Sequence, residues 1–555
     1  MPKPLDTLKT KWLYLFIGMA VCVNFSGLFI PITGPDGALY ALIAKTMVQH
    51  NNYADLFVNG KDWLDKPHFP FWVTAVSFKL FGFTTWAYKL PGILFFMTGA
   101  FYTYLFAKVL YNTQIALWSV LILLTAQHIV LSNNDVRAEP YLTGLIIAAV
   151  YHFYRAHNQN NFWHLLAGCV FTACSIMTKG MFALIPIGGA IIGQFAVTKQ
   201  WRALFNVRWL IAALLIFIFI LPELWCLYQQ FDLHPEKVVF GQHGVSGTRF
   251  FFWDSQFGRF FNTGPIKGHG DPFFFIHTTL WAFLPWSLLL FVAIYRYIKR
   301  GCKNVYGFEW YCMSAALLTF LLFSASKFQL PHYLNIVFPF FSILTAQYLF
   351  YISSNKIIKA VGITQAIVIA SLLLTVGVLH YYFKPEIFSW FTAAALLLLL
   401  LLLLFSPNNI SHSVNQKIIY RTVLISFIVN LYLNLSFYPS LMRYQAGSEA
   451  AMWLNDHNPQ NLPITNLNDD YAYAFEFYSI KPVTLFDPGI KSKLTIKPFL
   501  LYAPMDVVKD LSAKGWHITT LRNFKRYWIT RLKPAFLNNA TRAKELVTTE
   551  VVLVN

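Results

Sequence analysis

The sequence predicts an all-α polytopic membrane protein of about 13 transmembrane helices, followed by a small C-terminal α/β domain. Of the 555 residues, 57% are hydrophobic and only 12% are charged, whereas a soluble chain carries about 25% charged residues. Apolar runs of roughly 20 residues, long enough to cross a ~30 Å hydrocarbon core, recur along most of the chain. After about residue 445 the composition becomes that of a soluble protein.

The apolar runs place the spans and the basic loops between them set the orientation. The predicted spans are 12–31, 88–110, 114–131, 138–154, 162–177, 179–197, 208–228, 274–297, 308–324, 330–351, 358–380, 387–405 and 419–438. Lys3, Lys9 and Lys11 precede the first span, so the N-terminus is expected on the cytoplasmic side of the membrane. Residues 1–440 are then the transmembrane domain, and 441–555 form an α/β domain on the outer, periplasmic face.

The net charge of +19 does not indicate a nucleic-acid partner. The basic residues fall in short loops between apolar runs, where the positive-inside rule requires them, and do not form one patch. Some of this charge is suited to contact with anionic membrane lipids.

Two long loops, 32–87 and 229–273, are expected on the outer side. Residues 36–50 have Leu39, Ile43 and Met47 on one face and predict an interfacial helix. The apolar stretch 69–82 is short for a span, so we expect a re-entrant or interfacial helix there.

Asp36 is the first candidate catalytic residue. It follows Gly34-Pro35 at the start of the interfacial helix, where the helix dipole favours its ionised form, and Tyr40 follows at helical spacing on the same side. An aspartate at such a position is equally often an ordinary N-cap.

Glu139 is the second, at the outer start of a span within Asn134-Asp135-Val136-Arg137-Ala138-Glu139-Pro140. Acidic groups this close to hydrocarbon favour function over structure. Neutralisation by Arg137 or by the membrane interface is the alternative. Asp135 is the rival carboxylate, and we favour Glu139 because it lies deeper in the predicted span.

Cations at the outer edges of the spans are candidates for phosphate binding. Lys66, in Asp65-Lys66-Pro67-His68, either reaches to the surface or supplies a point charge for a phosphate. Asp65 with His269 could hold a divalent cation, on the evidence of ligand type alone.

Further basic residues on the outer side alternate with aromatic ones. Arg259 and His269 lie in the 229–273 loop, where sugar stacking with phosphate contacts and an interfacial aromatic belt are both compatible with the pattern. Lys179 and Lys327 stand at outer helix ends, against the positive-inside expectation, which favours a ligand.

Taken together, these motifs resemble the GT-C superfamily of glycosyltransferases, in the branch of the lipid A aminoarabinose transferase and the bacterial relatives of protein O-mannosyltransferases. The matching pieces, in order, are Asp36-Gly37-Ala38-Leu39-Tyr40-Ala41, Lys66-Pro67, Arg137-Ala138-Glu139-Pro140, Thr178-Lys179-Gly180, Arg259-Phe260 with Gly268-His269-Gly270, and Lys327 through Tyr333.

The resemblance implies a GT-C fold and transfer, with inversion, of a sugar from a polyprenyl-phosphate donor to an envelope lipid, glycan or protein acceptor. It implies that Asp36 and Glu139 are the acidic residues and that Lys66 and Tyr333 contact the donor phosphate. Lipid A or another cell-surface lipid is the expected acceptor, and a protein O-mannosyltransferase-like activity is the alternative. A transporter or flippase would instead show inverted repeats and charges near the bilayer midplane, and the charges here cluster at the outer edge.

Overall fold

The computed structural model of the protein describes residues 7–300, 309–405, 414–467, 472–486 and 498–555. Its described part is mainly helical. The first eleven α-helices are α1 Thr7–Phe25, α2 Gly34–His50, α3 Phe69–Phe81, α4 Thr85–Leu110, α5 Thr113–Thr125, α6 Gln127–Asn134, α7 Glu139–Gln159, α8 Phe162–Lys179, α9 Leu184–Val197, α10 Trp201–Leu204 and α11 Val207–Leu227.

The later helices include short ones in the loops and long ones in the bundle. They are α12 Gly247–Arg249, α13 Arg259–Phe261, α14 Phe274–Ala282, α15 Ser287–Arg300, α16 Trp310–Ala325, α17 Phe338–Tyr351, α18 Asn355–Phe383, α19 Trp390–Phe405, α20 Val414–Tyr432, α21 Tyr438–Met442, α22 Ala446–Asp456, α23 Ala472–Tyr478, α24 Met505–Ala513 and α25 Pro534–Leu537. Single π or 3₁₀ segments join several of them, at Met181–Ala183, Tyr228–Asp232, Phe250–Gly258, Pro331–Val337, Leu433–Phe437 and Arg542–Glu545.

Within the described residues, six helical stretches are long and apolar enough to cross a membrane, or seven if the bent pair α5–α6 counts as one span. They coincide with the predicted spans 88–110, 114–131, 162–177, 208–228, 330–351, 358–380 and 419–438. Shorter apolar helices occur near four other predicted spans, at Lys11–Phe25, Met181–Val197, Trp310–Ala325 and Trp390–Phe405. The total of about 13 spans therefore stays a prediction.

Three predicted spans are not single uninterrupted helices. The first ends at Phe25, and the rest of 12–31 forms turns closed by backbone hydrogen bonds. The span 114–131 bends by 54° between Thr125 and Gln127. The stretch 274–297 breaks into α14 and α15, and Pro285 in the break has no N–H to continue a helical ladder.

Segment 32–87 contains the two helices expected there, α2 and α3. In α2, Leu42, Ile43 and Met47 are buried and pack with Leu56 and Phe71, while Leu39 lies at the edge of the same cluster. The 13-residue helix α3 covers the short apolar stretch. A two-residue hairpin, β1 Phe57–Val58 with antiparallel β2 Lys61–Asp62, leads from α2 towards it, and β3 Val238–Val239 with β4 Gln242–His243 forms a similar hairpin within segment 229–273.

The chain after α21 contains a five-stranded mixed sheet. Its strands are β5 Ile464–Asn466, β6 Val483–Leu485, β7 Phe499–Pro504, β8 Ile518–Arg526 and β9 Val547–Val554, in the order β6-β5-β7-β9-β8. Strand β5 is parallel to β6 and β7, and the other pairs are antiparallel. We refer to residues 446–555 as the C-terminal unit; its standing as a separate domain remains a prediction.

The chain leaves the five-stranded sheet directly after β8. Strand β8 ends at Arg526, because the backbone N–H of Tyr527 donates to the carbonyl of Tyr444 (2.9 Å) and leaves the sheet. The residues after β8 therefore turn back towards the helical bundle.

The helices that carry the charged motifs are packed tightly. Helices α4 and α7 cross where Gly99 faces Gly144, and a Cβ on Gly144 would lie 2.0 Å from the carbonyl oxygen of Phe95. Only glycine permits this backbone approach. The crossing lies five residues into α7, so it fixes the end of α7 that carries Glu139.

Candidate active site

Asp36 lies in the first turn of α2, at the third helical position. The N-cap position is Thr33, so Asp36 is not the N-cap residue. One carboxylate oxygen accepts a hydrogen bond from Nη1 of Arg137 at 2.5 Å, while 48% of the side chain stays exposed. The exposed side leaves room for a substrate beside the carboxylate.

Arg137 joins Asp36 to the turn between α6 and α7. Its Nε and Nη2 donate to Oδ2 of Asp135, at 3.0 and 2.8 Å. Burial lowers the pKa of Arg137, but Asp135 and Asp36 together raise it above its ordinary value. This arginine is therefore a fixed cation that places two carboxylates, and it does not form the pair with Glu139 that the sequence suggested as an alternative.

Glu139 is the first residue of α7 and is 1% exposed. Its Oε1 forms an ion pair with the ammonium group of Lys179, the last residue of α8, and Nε2 of His332 lies 3.7 Å from the same oxygen. The antiparallel helices α7 and α8 thus bring an acid and a base together at one end. Glu139 is deeper than Asp135, whose side chain is 20% exposed.

Asp65 sits between two cations in the loop that precedes α3. Its Oδ2 accepts from Nζ of Lys66 at 2.6 Å, and its Oδ1 accepts from Nη2 of Arg259. Burial raises the pKa of Asp65, but Lys66 and Arg259 outweigh it and lower the pKa to about 2. Burial also lowers the pKa of Lys66, against the opposing effect of Asp65. Two cations share one carboxylate, which leaves a local excess of positive charge.

Two tyrosines line the space between these groups. The ring of Tyr333 lies under Nζ of Lys179, 3.7 Å from the ring centroid, and stands at 34° to the ring of Phe328. Tyr40 is edge-on to Trp63 and Phe71. Burial, Asp65 and Asp36 raise the pKa of Tyr40 well above its ordinary value, so its hydroxyl remains a donor.

The charged groups line two neighbouring cavities. The first, of about 340 Å³, is lined by Tyr40, Lys66 and Arg137. The second, of about 650 Å³, is lined by Lys179, Arg259 and Tyr333 among apolar residues. The Asp65 bridge from Lys66 to Arg259 connects them. Five of the nine predicted catalytic and binding residues therefore line one of these cavities. Glu139 and Asp36 each pair with a residue that does, Lys179 and Arg137 respectively.

His269 and Lys327 are placed differently. Both are exposed, and neither forms an ion pair within the described part of the chain. Their backbones lie together, because Gly268 and Gly270 pack against residues 326–328 and the N–H of Lys327 donates to the carbonyl of Phe260. They support the loop that carries Arg259.

A divalent-cation site is not built among the described residues. No group of three or more His, Cys, Asp or Glu side chains there is placed to hold a metal ion. Asp65 is already shared by two cations, and His269 is exposed. A cation bound by Asp65 and His269 stays a prediction.

The structure adds residues to which sequence reasoning gave no role. Gln256 donates to the carbonyl of Lys179 and accepts from the N–H of Phe182, and a Cβ on Gly180 (φ +91°) would lie 2.1 Å from its amide. Glycine is required there both for the dihedral and for this approach.

The fully buried Glu223 accepts from the N–H of His68 (3.0 Å) and lies 2.9 Å from Nδ1 of the same residue. The sequence does show this residue as an acidic group within an apolar stretch, and such groups are rare and usually have a specific partner. Through His68 it fixes the backbone two residues after Lys66.

Comparisons with known proteins bear on the fold and on the motifs. The family model described as dolichyl-phosphate-mannose-protein mannosyltransferase matches residues 65–225. The chain is 27% identical over 331 residues to the undecaprenyl phosphate-alpha-4-amino-4-deoxy-L-arabinose arabinosyl transferase of Edwardsiella ictaluri, covering 58% of this chain and 56% of that protein. It is 23% identical over 379 residues to an uncharacterized protein of Aquifex aeolicus, covering 67% and 70%.

The crystal structure of ArnT from Cupriavidus metallidurans bound to undecaprenyl phosphate superimposes with a TM-score of 0.76 at 19% identity, covering 98% of both chains. The apo structure of the same protein gives a TM-score of 0.74. The chain therefore has the fold of that protein over nearly its whole length, and the similarities to the arabinosyl transferases and to the mannosyltransferase family model agree with the resemblance drawn from the motifs.

Proposed function

We propose that the protein is an inverting glycosyltransferase that moves a sugar from a polyprenyl-phosphate carrier to an acceptor of the bacterial envelope, on the outer side of the inner membrane. One observation carries the proposal. Lys66 and Arg259 both form ion pairs with Asp65, beside a cavity that also adjoins Glu139. Asp36, which is paired with Arg137, lies next to the same cavity. Cations and carboxylates are thus collected at one end of an apolar helical bundle.

The cations suit the phosphate of the donor. As the bond between the anomeric carbon and the phosphate oxygen breaks, negative charge develops on that oxygen, and positioned cations stabilise it in a partly desolvated site. Lys66 and Arg259 would share this role, since Arg259 offers several N–H donors to phosphate oxygens. The hydroxyl of Tyr333, in the same cavity, is a further donor.

An apolar groove next to this cavity fits the polyprenyl chain. The groove encloses about 1250 Å³ and is lined almost entirely by apolar residues of α8, α9 and α11. Met181 and Leu184 line the groove, while Phe182 and Ala183 line the cavity of Arg259 and Tyr333. A phosphate held by the cations would therefore have its lipid tail directed into the bundle.

The carboxylates suit the acceptor. In an inverting transfer the acceptor oxygen bonds to the anomeric carbon on the face opposite to the leaving phosphate, and polyprenyl phosphate departs with the electron pair of the broken bond. Asp36 would take the proton of an acceptor hydroxyl, or position an acceptor oxygen that is already ionised. Glu139, neutralised by Lys179, would hold the helix ends that frame the site.

The acceptor we propose is lipid A or another envelope lipid or glycan. Support comes from the similarity to named arabinosyl transferases and to an ArnT structure that binds undecaprenyl phosphate. A protein acceptor, as in protein O-mannosyltransferases, is the second candidate, because the matching family model spans both Lys66 and Lys179. The N-terminus would lie in the cytoplasm and residues 441–555 in the periplasm.

The test uses purified protein in lipid, a panel of polyprenyl-phosphate sugars, and envelope lipids or secreted proteins as acceptors. Release of free polyprenyl phosphate reports the transfer, and the labelled acceptor identifies its class. We expect Asp36→Asn to lower turnover by at least about 100-fold, because it removes the charge that meets the acceptor.

Asp62→Asn is the matched control. Asp62 is also a partly buried aspartate of the first outer loop with a cationic partner, Lys237 at 2.9 Å, and we expect this variant to keep its activity. Normal turnover by Asp36→Asn would refute the role of that residue. Donor binding with no transfer to any acceptor, together with lipid movement across vesicles, would favour a flippase.

A further inference from the structure

The segment that leads into Asp36 is held by the C-terminal unit and by the residue just before it. The amide of Gln445 makes two hydrogen bonds to this segment: Nε2 donates to the carbonyl of Ile32 (2.9 Å) and Oε1 accepts from the N–H of Gly34 (3.1 Å). The hydroxyl of Tyr478 accepts from the N–H of Ile32 at 2.8 Å. Three hydrogen bonds therefore fix residues 32–34, directly before the candidate catalytic aspartate.

A second attachment holds the middle of the same helix. Lys45 of α2 is 5% exposed, and its ammonium group donates to the carbonyls of Glu476, Phe477 and Ser479 at 3.0, 2.9 and 2.8 Å. These carbonyls lie at the C-terminal end of α23, where a helix leaves acceptors unsatisfied and favours a cation. Helix α2 is thus bound to the C-terminal unit at its start and along its length.

The start of α2 has few other constraints of its own. The N-cap residue Thr33 makes no side-chain capping bond, and the N–H of Gly34 donates to the side chain of Gln445. Gly34 has a φ of +73°, and a Cβ there would lie 2.8 Å from Cγ2 of Thr530. The C-terminal unit therefore approaches this turn closely, and glycine is required for both reasons.

We propose that Gln445 is a positioning residue, through which the C-terminal unit sets the place of Asp36 and hence the rate of transfer. The inference rests on the proposed function. A displacement of about 1 Å in a reacting group can lower a rate by about 100-fold, and a helix start freed from two hydrogen bonds can move by such an amount. The donor cations Lys66 and Arg259 are carried by other elements, so donor binding is independent of this attachment.

The test compares Gln445→Met with Asn458→Leu in the full-length protein in lipid. Both replacements keep side-chain volume and remove an amide that makes two backbone hydrogen bonds. Asn458 donates to the carbonyl and accepts from the N–H of Leu462, both at 2.9 Å, entirely within the C-terminal unit. We expect Gln445→Met to lower kcat by about 10- to 100-fold with the donor KM unchanged, and Asn458→Leu to keep the wild-type kcat.

Tyr478→Phe provides a second, milder variant, because it removes the bond to Ile32 together with the contact to the hydroxyl of Thr85 and keeps the ring. We expect it to lower kcat by a smaller factor than Gln445→Met. The inference is overturned if Gln445→Met is folded and turns over like Asn458→Leu, or if kcat is kept and only KM changes. A wild-type protein that transfers no sugar would instead overturn the proposed function.

Discussion

Replacing Lys179 by methionine removes the ammonium group that pairs with a buried carboxylate. Glu139 is 1% exposed, and the nearest other basic group, Nε2 of His332, lies 3.7 Å from the paired oxygen. A buried charge left without its partner costs about 3–5 kcal/mol. We therefore expect Lys179→Met to lower the free energy of unfolding by about that amount.

The double variant Glu139→Gln, Lys179→Met should recover most of this loss. Replacing both members of a buried ion pair by neutral groups of similar volume is often close to neutral. Denaturant titration of the four proteins of the cycle, in one detergent, measures the coupling between the two side chains. A double variant as unstable as Lys179→Met would refute the pairing as the source of the cost.

The same proteins separate two roles for Lys179. The sequence predicts a substrate-binding lysine, whereas the structure pairs its ammonium group with Glu139. If Lys179 acts only by neutralising Glu139, the double variant should bind polyprenyl phosphate like the wild type. Lys66→Ala, in contrast, should weaken binding by about 10- to 100-fold, since a hydrogen bond to a charged group is worth about 1.5–3 kcal/mol. Equal losses of polyprenyl-phosphate binding in the double variant and in Lys66→Ala would instead indicate that Lys179 binds the donor.

Three further predictions concern stability. Glu223→Leu should destabilise the protein by about 1–3 kcal/mol, because the backbone N–H of His68 is left without its acceptor, measured by thermal unfolding. Burial raises the pKa of Glu476 to about 7, so the folded state holds a proton that the unfolded chain releases near pH 4.3. Stability should fall as the pH rises from about 4.5 to 7, and Glu476→Gln should remove this fall in unfolding curves measured across that range. Gly144→Ala should cost at least about 3 kcal/mol, because its Cβ would meet a backbone oxygen at 2.0 Å, and the yield and melting temperature report this.

Two of the three have a control in the same chain. Glu386, in a surface pair with Arg443, is 56% exposed, and Glu386→Ala should change stability by less than about 1 kcal/mol. Gly377→Ala, in a helix position with nothing within 4 Å of the new Cβ, should be neutral or slightly stabilising. A Glu223→Leu variant as stable as Glu386→Ala, a Glu476→Gln variant with an unchanged pH profile, or equal effects of the two glycine replacements would contradict the reasoning.

The sequence alone predicts the fold class and the neighbourhood of the site. Apolar run lengths and the few charges identify a helical membrane protein, because the bilayer imposes that pattern on every spanning segment. The helix of Asp36 and Tyr40 and the short helix α3 also follow from local signals. Cations at expected outer helix ends point to Lys179 and Lys327, because they run against the charge bias of the loops.

The pairing of these charges is decided by the tertiary structure. The motif that contains Arg137 and Glu139 gives no sign that the arginine turns to Asp36, 101 residues earlier, while the glutamate turns to Lys179, 40 residues later. Arg259 reaches Asp65 across 194 residues, and Gln445 reaches Gly34 across 411. Local sequence sets helix periodicity and turn chemistry, which act over a few residues, whereas these contacts depend on how the antiparallel helices pack and where their ends meet.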